Sequence, residues 1–202
     1  MKGATNDGRC CNIHTAMAEI VVGSMVLATL CAIGCSISRI LPSSEINNES
    51  LMVTMDRASL AGSVLALIFL PIAILSGNVA ADGQVESALL YNKFVYSGLA
   101  LGFWSAFVIG RIRMGPGLWE ERPLAILQST TAGFAFLMTS MASSIGGKLV
   151  RGESLFDVFP FWLPTETAAI LPLWASASLL ILGITSSALV FRFTLPKIVR
   201  IE

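Results

Sequence analysis

Cys10, Cys11 and His14 stand together near the start of the chain, followed by Glu19. Soft thiolates and an imidazole are ligands for copper or zinc, so these three form the candidate metal set. Adjacent cysteines seldom both reach one ion well, and few other ligands lie nearby; a loose tail or a disulfide on an oxidising side is the favoured account of them. His14 is the sole histidine, so two-histidine haem ligation cannot come from this chain alone. A Met ligand or a neighbouring chain's histidine keeps haem and copper open without favouring them. A lone histidine, with no Gly-x-Ser-x-Gly and no His-Glu-x-x-His, supplies neither a serine hydrolase nor a zinc protease, and the chain is expected to have no catalytic activity of its own.

A second stretch, SSIGGKLVRGES at residues 143–154, places two glycines before a lysine and invites comparison with a phosphate-binding loop. That loop requires a glycine five before the one that precedes Lys, and Ser or Thr after the Lys. Here those positions hold Ala142 and Leu149. A nucleotide partner is therefore not expected, and Gly146 and Gly147 read as the end of a helix.

The elements that position these groups follow from composition. The 202 residues are 54% hydrophobic and only 13% charged, with 13 basic and 13 acidic side chains, against about a quarter charged in soluble domains. The lipid bilayer is thus the expected environment, and nucleic acid is not a partner, since no basic run exists to neutralise phosphates. Uncharged runs cover Ile20 to Ser38, Ala58 to Ala81, Phe94 to Gly110, Pro123 to Gly147 and Thr167 to Phe191. At about 1.5 Å per residue each can cross the roughly 30 Å hydrocarbon layer, and backbone groups in hydrocarbon must be paired within their own helix. The expected fold is an all-α integral membrane bundle of five helices, about 16–40, 58–81, 90–112, 123–147 and 167–193, forming a single domain over 1–202. The Ala32-Ile33-Gly34-Cys35 stretch imitates a lipoprotein cleavage box, but the long leader and Glu19 favour a retained helix.

Five crossings put Lys2, Arg9, Lys93, Lys148 and Arg151 on one side and the remaining eight basic residues on the other. The positive-inside rule then predicts the N-terminus outside and the C-terminus in the cytoplasm, in the plasma or cytoplasmic membrane. Small residues recur every four positions at Ala28, Ala32 and Ser36, at Ala58, Gly62 and Ala66, at Gly98, Gly102, Ala106 and Gly110, and at Ala135, Thr139, Ser143 and Gly147. Such stripes let helices approach closely, within this chain or against another subunit. Pro71 and Pro172 are expected to kink their helices. No run carries an interior charge, which argues against ion-coupled transport. Gln128, Asn78 and the hydroxyls of the fourth run read as interhelical hydrogen bonds.

The order and spacing of NIHTAMAEIVVGSMVLA (12–28), RASLAGSVLALIFLPIAILSGNVAADG (57–83), ESALLYNKFVYSGLALGFWSAFVIGRI (86–112) and PLAILQSTTAGFAFLMTSMASSIGGKLVRGES (123–154) resemble an uncharacterised family of small four-helix bacterial and archaeal membrane proteins, sometimes found beside cytochrome domains. The resemblance covers 12–155, ending in Gly-Gly-x-Leu-Val, and leaves the aromatic loop and extra helix of 156–202 outside it. It implies a histidine-based haem or metal site, of which only His14 remains: the third-helix histidine falls near Tyr91-Asn92-Lys93, and Ser143-Ser144 stand at the fourth-helix position.

Alternating helix direction brings His14, Glu19, Tyr91, Asn92, Ser143 and Gly146-Gly147 to one outer end. His14, Asn92, Tyr91 and Ser143 are accordingly the candidate cofactor-binding residues; the alternative is a ring of interfacial anchors. LFDVFPFWLPTET (155–167) on the same side is an anchor or a docking surface for a partner. The expected function is that of a non-catalytic structural or accessory subunit of a larger membrane complex, such as a respiratory or other redox complex, with other membrane protein subunits as partners. The competing expectation is an electron-transfer protein holding haem, quinone or copper near the outer face.

Overall fold

The computed structural model describes residues 7–40, 49–80 and 87–152, together with the single positions Asp157, Trp174 and Ile181. These residues fold into four long helices: α1 (Asp7–Ile40), α2 (Glu49–Ala80), α3 (Ala88–Met114) and α4 (Arg122–Arg151), with a short 3₁₀ turn (Pro116–Trp119) between the last two. All four are long and apolar enough to cross a membrane. The described part is therefore an all-helical, multi-pass membrane bundle. Of the expected fifth helix only Trp174 and Ile181, both helical and exposed, are described; the rest, with Pro172, lies outside the described residues.

Helix ends follow local chemistry. Ser87 caps α3, its hydroxyl accepting the Leu90 N–H at 3.1 Å. Gly115, at φ 78°, turns the chain out of α3 in a conformation costly for any residue with a Cβ. α4 passes through Gly146 and Gly147 and stops only at Gly152, which takes a left-handed conformation and donates to the Lys148 carbonyl. The expected end at residue 147 is thus four residues early, because two glycines flanked by helix formers do not break hydrogen bonding within a packed helix. The second helix begins at Glu49 rather than near 58, since Glu49 favours the first turn and the charges of Asp56 and Arg57 are accommodated inside the helix. α2 is assigned as continuous helix across Pro71.

α1 packs chiefly on α2, and α3 on α4; α1 also meets α4, while α2 and α3 touch less. The α1–α2 seam depends on Gly62, where an added Cβ would stand 2.7 Å from the Ser24 carbonyl oxygen. α1 and α4 exchange hydroxyl donors: Ser36 Oγ donates to the Ala125 carbonyl at 2.8 Å and Ser129 Oγ to that of Ala32 at 3.0 Å, with the two hydroxyls touching. Gln128 Nε2 donates to the Phe107 carbonyl at 2.7 Å, and Trp104 Nε1 to Thr139 Oγ1 at 3.2 Å. Gln128 and Thr139 therefore tie helices together.

Ala28, Ala32, Ser36, Gly62, Ala66, Ala135 and Thr139 all face the interior. The stripe on α3 does not: Gly98, Gly102 and Ala106 are exposed, and a Cβ on either glycine would meet nothing within 4 Å among the described residues. The inward face of α3 carries Ala100, Trp104 and Phe107 instead, all fully buried. Large aromatics supply the greater contact area, so they take the core and leave the small residues outside. Leu30, Leu65, Ile68, Leu75, Leu99, Leu127 and Phe134 are also exposed, as lipid-facing residues should be.

Candidate functional site

The N-terminal ends of α1 and α3 and the C-terminal ends of α2 and α4 meet around a cavity of about 560 Å³. Each helix contributes residues at helical spacing: His14, Ala18 and Val21 from α1, Leu70, Ala73 and Ile74 from α2, Lys93 and Ser97 from α3, and Thr139, Ala142, Ser143 and Gly146 from α4. From His14 to Val21 the cavity descends about 10 Å along α1, at 1.5 Å per residue. Its lower wall is mostly apolar, with the hydroxyls of Ser97 and Thr139 the polar members. Glu19 and Gly23 of α1 and Ser143 of α4 are exposed members of the lining, so it opens to the surface between those two helices. The same pair is clasped by Ser36 and Ser129 at the opposite end, which makes the opening a crevice closed at its base.

Lys93 occupies the centre of this end. Its ammonium lies where a Cβ on Gly77 of α2 or on Gly146 of α4 would come within 3.2 Å. Those two glycines make room for it. His14 stands alongside: its Nδ1 is 3.2 Å from Ser76 Oγ, and its Cε1 would be 2.7 Å from a Gly77 Cβ. Among the described residues no carboxylate forms an ion pair with Lys93; Glu19 lines the cavity but stays exposed at its mouth.

The opposite end is closed by a charged group. Asp56, in the second turn of α2, is 4% exposed and accepts from Arg111 Nε at 2.6 Å and from Trp119 Nε1 at 2.6 Å, while Arg111 Nη2 holds its second oxygen. A two-pronged guanidinium and an indole satisfy the carboxylate on both oxygens. Trp119 and Leu118 are fully buried beside it. The uncharged runs stand as read, but the helices extend past them, and Asp56 and Arg111 lie in those extensions. Arg111 bounds a run and so read as a boundary, whereas across the bundle it and Asp56 neutralise one another.

Of the predicted cofactor-binding residues, His14 and Ser143 line the cavity. Tyr91 is 45% exposed on the outside of α3, and Asn92 is buried outside the cavity lining. Cys10 and Cys11 fall in the first turns of α1, but their side chains, like that of Asn78, lie outside the described residues. Among the described residues no three His, Cys, Asp or Glu side chains gather closely enough for a metal ion. Sequence reasoning missed the central group, Lys93. Ser87 was the available cue: a capping serine places the helix start before Lys93, making it a second-turn residue rather than the border of the span.

No family model, curated protein or solved structure matches this chain. The resemblance to the four-helix family accordingly assigns no role to any residue, and the reading of function stands on the geometry of the cavity.

Proposed function

We propose that the chain is a non-catalytic accessory subunit of a membrane assembly that holds a small amphipathic molecule in its four-helix cavity. The observation that carries this reading is the cavity itself, about 560 Å³ in volume, mostly apolar below and charged at the end that holds Lys93 and His14. That volume and that mixture of walls fit an organic ligand of moderate size. The assembly part is supported by α3, whose exposed small residues leave a face that another helix can approach closely. In the same reading the apolar run 167–191 is a fifth crossing. The end rich in arginine, with Arg39, Arg57, Arg111, Arg113 and Arg122, then faces the cytoplasm of a plasma or cytoplasmic membrane.

Purification in mild detergent followed by organic extraction and mass spectrometry tests the reading. A stoichiometric small molecule, lost when Ala142→Trp fills the cavity, is the expected result. Its absence from both proteins removes the ligand-holding role. Cysteine crosslinking from position 98 should capture a second chain; crosslinks only within the chain remove the accessory role.

A further inference from the structure

We infer that the ligand of the four-helix cavity is an anionic amphiphile, a phosphate or carboxylate headgroup on an apolar tail, with Lys93 as its counter-ion. This rests on the reading of the cavity as a ligand site.

Three features lead to it. The Lys93 ammonium turns into the bundle from the second turn of α3, at a point where all four helices meet, level with His14 and Gly77 at the ends of the α1 and α2 spans. A cation half-buried among helix ends is favoured when an anion neutralises it, and among the described residues no carboxylate pairs with Lys93. Asp56 and Arg111 show how the same bundle treats a charge that has an internal partner: both oxygens are occupied and the group is sealed. Lys93 instead faces free volume, with two glycines in place of side chains that would crowd it.

The second feature is the shape. The charged and titratable groups Lys93 and His14 lie toward the membrane surface, while Val21, Leu70, Ala73 and Ile74 lie toward the bilayer interior with the hydroxyls of Ser97 and Thr139 among them, the latter already bonded to Trp104 and the Ala135 carbonyl. A molecule seated here has its charged part up and its apolar part down, the orientation of a lipid in its own leaflet. The third is the side opening between α1 and α4, at Gly23 and Ser143, through which a tail longer than the cavity passes into the surrounding lipid. Glu19, also in the lining, opposes an anion, but it is exposed at the mouth, where water weakens its charge more than that of half-buried Lys93.

The full chain, delipidated in a neutral maltoside detergent, is titrated separately with phosphatidylglycerol, oleate, phosphatidylcholine, a long-chain benzoquinone and inorganic phosphate, reading bound mass by native mass spectrometry and the shift in Tm. Phosphatidylglycerol or oleate should bind one to one and raise Tm. Lys93→Gln should weaken that binding about tenfold or more, as loss of a charge-assisted contact does, with Lys93→Arg retaining most of it. Ala142→Trp should abolish binding with helicity unchanged, which keeps the test decisive if Lys93→Gln does not fold. Equal affinity of Lys93→Gln for the anionic lipids overturns the inference. Inorganic phosphate binding as tightly as the lipids also overturns it, since the tail then contributes nothing. Binding of the neutral benzoquinone in preference to the anions overturns the anionic assignment and leaves the cavity a ligand site. Binding in none of the arms ends both readings.

Discussion

The two ends of the bundle carry one central cation each and treat it in opposite ways. At one end Arg111 is locked to Asp56, with Trp119 donating to the same carboxylate and fully buried side chains around it. At the other, Lys93 sits among glycines beside an open cavity. Residue type suits each role. A guanidinium is rigid and forked and matches a carboxylate with two bonds, whereas an ammonium is a compact charge on a flexible stem that adapts to a guest. The closed end is built to hold the helices; the open end is built to hold something else.

This contrast can be broken most severely at the closed end. Asp56→Ala should lower stability by about 3–5 kcal/mol, because it strands the Arg111 charge in the bundle. The check is thermal or denaturant unfolding in detergent, and an unchanged midpoint removes the lock from the account. Next comes the α1–α2 seam. Gly62→Ala pushes a methyl against the Ser24 carbonyl oxygen, a backbone atom that moves only with its helix, and should cost about 1–3 kcal/mol. Gly98→Ala, on the open face of α3, should leave the unfolding of the isolated chain unaltered, and the difference between the two glycines is the measurement.

A smaller loss is expected where α1 meets α4. Ser36→Ala with Ser129→Ala removes both reciprocal donors and should cost about 0.6 kcal/mol for each, and at most about 1.7, as for other hydrogen bonds between membrane helices. Double-mutant analysis reads their coupling, which should be non-zero because the hydroxyls touch. The smallest effect sharpens the comparison best. Without ligand, Lys93→Gln should leave stability equal or higher, opposite in sign to Asp56→Ala, because it removes a charge with no ion-pair partner among the described residues. A drop as large as that of Asp56→Ala shows that Lys93 holds the fold rather than a guest.

What could be read from the sequence divides along physical lines. Spanning helices were legible because hydrocarbon enforces long uncharged runs: α1, α3 and α4 contain their predicted runs whole, and α2 covers Ala58 to Ala80 of the second. Positions 14, 19 and 143 were brought to one end by the reversal of successive helices alone. Facing was harder. The Gly98–Gly102–Ala106 repeat resembles a packing stripe in sequence, yet which side of α3 turns inward was decided by Trp104 and Phe107, whose burial outweighs it. Charges were hardest, because Lys93 and Arg111 were read as edges of a run and Asp56 was not singled out, while a pairing across 55 residues depends on tertiary register that no local pattern records.

Helix pairing also orders events during synthesis. Asp56 belongs to the first hairpin, α1 with α2, while Arg111 and Trp119 come with the second, 55 and 63 residues later. At about 5–20 residues per second, the carboxylate waits several seconds for partners that do not yet exist. During that interval the first hairpin carries an acid without its internal partners, which raises the cost of burying that part of α2 in lipid until α3 arrives. The ion pair that later seals the bundle thus also records that the second hairpin has been delivered, and a chain truncated before Arg111 would leave Asp56 exposed as a mark of incompleteness.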